Sequence, residues 1–179
     1  MKKDLQSVAF GGGCFWCTEA VFLELKGVKE VTSGYAGGTV PNPTYEQVSM
    51  GNTGHAEVIR IGYDPSVITF AKLLEVFFAS HDPTTLNRQG NDVGTQYRSV
   101  IFYSNDGQKN EAEKSIYELT RSKKYGKPIV TEIARLKEFY PAEEYHKRYY
   151  ENHPDAGYSS HVIAPKVEKV REEFKDQLK

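Results

Sequence analysis

Two thiols flank two aromatic residues in Cys14-Phe15-Trp16-Cys17, directly after Gly11-Gly12-Gly13. A cysteine at the first turn of a helix lies near amide N–H groups that lack intrahelical partners and near the positive end of the helix dipole. Both favour thiolate over thiol, which makes Cys14 a candidate nucleophile. The glycines open backbone conformations closed to other residues and leave space above the sulfur. Cys17 falls three positions on, on the same helix face, and the spacing is compatible with a disulfide. The pair suits a thiol that is oxidised and then resolved by its neighbour, although two inert buried cysteines would read the same way. Zinc needs more ligands than the pair supplies, and none of His55, His81, His146, His153 and His161 stands at ligand spacing. Neither a metal nor a cofactor is expected. A dinucleotide fingerprint counted from Gly11 puts Trp16 where the third glycine belongs, and fails. Phe15 and Trp16 either pack the helix or form an aromatic rim suited to a thioether or methyl group.

The elements that must hold these residues follow from periodicity. Residues 7–10 read as a strand entering the glycine turn, and 18–26 as a helix with Val21, Phe22 and Leu25 at helical spacing. A strand is expected over 28–33, then a long irregular segment over 34–54, of a length that in compact domains tends to be functional or disordered. Residues 55–63 alternate, with His55, Glu57, Ile59, Ile61 and Tyr63 on one face. A helix over 69–80, a polar loop over 82–96 and a central strand over 97–103 follow. Beyond them the pattern predicts a helix over 106–122, a strand over 129–136 and a helix over 142–150. Val167, Val170, Phe174 and Leu178 form the apolar stripe of a last amphipathic helix. The interleaving fits an α+β two-layer sandwich with a mixed sheet and long irregular loops.

Bulk properties narrow the class. The chain has 179 residues, which suits one domain over 1–179. Net charge is −1 from 23 basic and 24 acidic residues, so no nucleic acid is expected as partner. The start Met1-Lys2-Lys3 is basic, but no apolar run of signal-peptide or membrane-span length follows. A cytoplasmic setting, where thiols stay reduced, is the expectation.

The segment Gly12-Gly13-Cys14-Phe15-Trp16 resembles the signature of peptide methionine sulfoxide reductases of the A family. Similar pieces recur in order: Gly34-Tyr35-Ala36-Gly37-Gly38, Tyr45, Gly54-His55-Ala56-Glu57-Val58, Phe77-Phe78 and His81-Asp82-Pro83-Thr84. The run from Asn87 to Ser99 and the run from Glu143 through His146 to Tyr150 match as well. The resemblance implies a split βαβ, ferredoxin-like core and reduction of methionine S-sulfoxide, free or in oxidised proteins. It assigns Cys14 as nucleophile, Phe15 and Trp16 as holders of the substrate methyl group, and Glu57, Tyr45 and Tyr97 as partners of the sulfoxide oxygen. Asp92 would support substrate or water; alone it reads as a turn residue. An inward Glu57 would have a raised pKa and could act as general acid. Many family members carry a recycling cysteine in a C-terminal tail, and this tail has none, so Cys17 is the internal candidate to resolve a Cys14 sulfenic acid. Thioredoxin is the expected reductant of the resulting disulfide, with glutathione or glutaredoxin as outside thiols should Cys17 not reach. A general thiol–disulfide oxidoreductase would use the same pair without Glu57, and a methionine-binding module would not turn over.

Overall fold

A computed structural model describes residues 4–179; the basic start at Lys2 and Lys3 lies outside them. The strands are β1 (Gln6–Gly11), β2 (Val28–Ala36), β3 (Ala56–Tyr63), β4 (Arg88–Gln89), β5 (Asp92–Val93), β6 (Val100–Tyr103), β7 (Glu132–Arg135) and β8 (Phe139–Pro141). The α-helices are α1 (Phe15–Leu23), α2 (Tyr45–Ser49), α3 (Phe70–Ala79), α4 (Asp106–Ser122), α5 (Tyr149–Asn152) and α6 (Ala164–Glu173).

Six strands form one sheet in the order β7-β6-β1-β3-β2-β8, and β4 pairs with β5 in a separate small ribbon. β1 and β2 both run antiparallel to β3, which lies between them, and β6 runs antiparallel to β1. β1 and β2 therefore point the same way, joined across β3 by α1; β3 and β6 do likewise, joined across β1 by α3. β7 adds in parallel to β6, so the sheet is mixed. The α+β character expected from the sequence is present.

The sheet buries both faces. Ile59, Ile61 and Tyr63 of β3 and Phe10 of β1 meet Val21 and Phe22 of α1, Leu73 and Phe77 of α3, and Val167 and Val170 of α6. Phe10 and Phe77 stack with ring centroids 4.7 Å apart. Fully burying an aromatic or branched side chain contributes about 1.5–3 kcal/mol, so this layer fixes where α1 starts. On the other face Ala9, Ala36, Ala56, Val58, Val100 and Phe102 pack under Leu136 and Phe139.

The structure departs from the sequence reading at several ends. α1 starts at Phe15 rather than at residue 18, with Cys14 at the N-cap position in extended backbone and its side chain making no capping hydrogen bond. The irregular segment contains α2, whose first turn is closed by a capping box between Thr44 and Gln47. Residues 95–97 form a 3₁₀ turn, so Tyr97 precedes β6 instead of lying in it. The helix expected over 142–150 is divided into a 3₁₀ turn over 144–146 and the short α5, with Arg148 between them at φ +51°. Leu178 lies beyond the last helix and bridges to Leu25.

Candidate active site

β1 ends at Gly11, and Gly13 adopts φ +93°, a conformation that L side chains rarely reach. The turn sets Cys14 at the N-cap of α1, 7% exposed, with Cys17 three residues into the helix. The two cysteines are free thiols. β3 runs beside β1 and presents Glu57 on the face it shares with Ile59 and Ile61, 1% exposed. Glu57 Oε1 accepts from the Phe15 N–H at 3.2 Å, while Oε2 is buried with no partner. One oxygen is thus anchored to the helix start and the other is left over for something else.

Burial dominates the protons here. It pushes the Glu57 carboxyl up to about 8; the Phe15 amide and the Cys14 thiol oppose the rise, and the charge of Asp92 adds to it. At neutral pH the carboxyl holds its proton. Burial, then Glu57 and Cys17, also drive Cys14 well above the ordinary thiol range, against the Trp16 amide and the Tyr158 hydroxyl. The thiolate expected from the helix N-terminus is therefore corrected: desolvation outweighs the dipole, and the resting sulfur is a thiol. Neutral Glu57 removes the charge that would repel a thiolate once a substrate arrives.

The aromatic residues form a connected wall. Trp16 Nε1 donates to His146 Nδ1 at 3.0 Å, and the indole stacks on Tyr149 with centroids 3.7 Å apart and planes within 7°. Tyr158 meets its edge at 5.8 Å. Phe15 is fully buried under Tyr35, Tyr45 and His146, so it forms the floor, whereas Trp16 remains half-buried at the rim.

Hydroxyls complete the site. Tyr45, on α2, and Tyr97, in the 3₁₀ turn before β6, are both raised, first by burial and then by the charges of Glu57 and Cys14; Tyr45 rises to about 12. Both phenols keep their protons and can donate. Tyr45 is held by Glu143, which accepts from its N–H at 3.0 Å and from the Tyr35 hydroxyl at 3.0 Å. Asp92 accepts from the Tyr158 hydroxyl at 2.6 Å, and that hydroxyl lies 3.7 Å from Cys17 Sγ.

All eight residues singled out in the sequence converge around Cys14. His146, Tyr149, Tyr158, Glu143 and Glu19 were not assigned roles there. Only the matching run from Glu143 to Tyr150 hinted at three of them, and Tyr158 carried no signal. Chemically, the arrangement suits a thiol that takes an oxygen atom while a neighbouring acid supplies the proton.

Comparison with known proteins gives this chemistry a family. Residues 6–178 match the family described as peptide methionine sulfoxide reductase. The peptide methionine sulfoxide reductase MsrA of Acinetobacter baumannii (strain AYE) is 55% identical over 175 residues, 98% of this chain and 99% of that one. Mxr1 from Saccharomyces cerevisiae in reduced form aligns with a TM-score of 0.81 at 36% identity, covering 87% of this chain and 90% of that chain. Mxr1 in complex with Trx2 aligns at 0.58 with 27% identity, covering 83% and 89%. The chain belongs to the peptide methionine sulfoxide reductase family.

Proposed function

We propose that this protein reduces methionine S-sulfoxide, free or within oxidised proteins, to methionine, with Cys14 as the nucleophile. One observation carries the reading: the buried, unpartnered Oε2 of Glu57 beside the Cys14 thiol. A sulfoxide sulfur yields to attack only as its oxygen is protonated or otherwise stabilised. Glu57, neutral at rest, gives its proton to that oxygen as Sγ bonds to the sulfur, and takes the thiol proton in return. Tyr45 and Tyr97 donate hydrogen bonds to the same oxygen. Phe15 and Trp16 hold the methyl group, and Asp92 orients the Tyr158 hydroxyl at the edge of the site.

The protonated oxygen then passes from the methionine sulfur to Sγ: an Sγ–O bond forms as the sulfoxide S–O bond and the Sγ–sulfur bond break, methionine leaves, and Cys14 is left as a sulfenic acid. The Cys17 thiol attacks it, forming the Cys14–Cys17 disulfide and releasing water. Thioredoxin then reduces the disulfide by exchange, a step supported by the complex between the relative Mxr1 and Trx2. The two interlocked β-α-β units support a split βαβ, ferredoxin-like core within a single domain over 1–179. A cysteine pair that must be returned to thiols after each turnover supports a cytoplasmic setting; among the described residues no helix is long and apolar enough to cross a membrane.

The test offers each epimer of N-acetyl-methionine sulfoxide with dithiothreitol and follows methionine. The S epimer is expected to be consumed and the R epimer to persist. Reduction of R alone, or of neither, overturns the reading.

A further inference from the structure

Glu19 lies on α1, one turn beyond Trp16, and is 2% exposed. Its Oε2 accepts from the Ser33 hydroxyl at 3.4 Å, whereas Oε1 is buried without a partner. The amides of Arg148 and Tyr149, at the start of α5, stabilise its charged form. Tyr149 is the residue stacked on Trp16. His146, the other partner of Trp16, uses Nδ1 to accept from the indole. The imidazole proton then sits on Nε2, and this buried atom also lacks a partner. Glu19 and His146 line one cavity of about 120 Å³, together with Ser33, Glu143 and Lys147.

We propose that Glu19 is a positioning residue for sulfoxide reduction: through the start of α5 it fixes Tyr149, the ring stacked on Trp16, and so the aromatic face that meets the substrate methyl group. The proposal rests on the reading of Cys14 and Trp16 given above. Glu19 does not touch substrate; it acts through Trp16.

The charge on Glu19 sets how firmly the wall is held. Burial pushes its carboxyl up to about 7, against the Ser33 hydroxyl, the two amides and the charge of Arg148. Around it the 141–148 segment brings Glu143, Glu144, His146, Lys147 and Arg148; Glu24 stands at the C-terminal end of α1, Glu151, Arg171 and Lys179 lie beyond it, and the β2 residues that line the cavity, Val31, Thr32 and Ser33, are uncharged. Above neutral pH the carboxylate draws in the amides, because hydrogen bonds to an ionised acceptor are the stronger kind. Below it the acid form releases them.

Trp16 is the single tryptophan, so its emission reports the wall directly. Fluorescence titration and steady-state kinetics are to be run on the full chain and on Glu19→Gln and Glu57→Gln. In the wild type the emission is expected to shift with a midpoint of about 7. The shift is expected to survive in Glu57→Gln and to vanish in Glu19→Gln. In Glu19→Gln the KM for the sulfoxide rises about tenfold while kcat changes less than about twofold, since losing the charged hydrogen bonds to the start of α5 loosens the face that binds the methyl group and leaves the reacting atoms untouched. A flat wild-type emission across neutral pH overturns the proposal without any variant. So does a folded Glu19→Gln that keeps both the titration and the KM. If the wild type reduces no sulfoxide at all, it is the function that fails, and the titration still decides whether Glu19 governs Trp16.

Discussion

Cys17 faces a harder environment than its neighbour's chemistry asks of it. Burial raises its thiol, and the Lys166 charge and the Tyr158 hydroxyl pull it back. A resolving thiol needs only to meet a sulfenic acid held close by, so proximity substitutes for a low pKa. Tyr158 hydrogen-bonds near both sulfurs, which places the pair around one phenol oxygen. Changing Cys17→Ser is therefore expected to leave the first turnover intact and to trap Cys14 one oxygen atom heavier by mass spectrometry. Turnover with thioredoxin should fall by at least about a hundredfold, because exchange begins from a disulfide that no longer forms, while dithiothreitol still supports some. Undiminished turnover with thioredoxin would mean that an outside thiol reaches Cys14 directly.

The turn between β1 and α1 is what turns two cysteines into a site. At Gly13 a Cβ would meet Gln89 at 2.8 and 2.9 Å, on a backbone already at φ +93°. Gln89 cannot swing aside freely, because its amide accepts from the Asp82 N–H at 3.0 Å and donates to the Asp82 carbonyl at 2.9 Å. Gly13→Ala is expected to destabilise the fold by about 1–3 kcal/mol in urea melts and to lower kcat/KM by displacing Cys14. Gly90→Ala, also at positive φ but with open space around it, should cost less and leave kcat/KM unchanged. This element also marks how far the sequence could be read. The strands with alternating or continuous apolar residues and the helices α3 and α4 were legible because period alone decides them. The α2 capping box, the β4–β5 ribbon and β8 were not, since each is short and held by distant partners rather than by its own pattern. At the site, Cys14, Glu57 and the aromatic pair were legible through motifs and an inward strand face. The wall made by His146, Tyr149 and Tyr158 was not, because it forms only when the C-terminal segment folds back over α1.

At the scale of the whole molecule, the sheet buries an ionisable group that the chemistry requires, and stability is set against activity. Glu57 sits in the core of β3 with its carboxyl at about 8 against an ordinary 4.5. The unfolded chain gives up that proton first as pH rises, so the folded state binds the extra proton between those values and stability falls across that window. Above about 8 both states are ionised and no further loss comes from this group; Glu19, raised to about 7, contributes a loss of the same sign. Glutamine has the shape of the neutral acid and can still accept from the Phe15 amide. Glu57→Gln is therefore expected to be more stable than the wild type at pH 8 by about 4 kcal/mol, with the gap closing toward pH 4.5. The same variant loses the proton donor, so single-turnover reduction should drop by about a thousandfold. In the wild type that rate should fall as pH rises through 8. Urea melts at the two pH values beside single-turnover rates measure both sides. A variant no more stable than the wild type at pH 8 would mean that the fold accommodates an ionised Glu57, and the acid role would lose its physical basis.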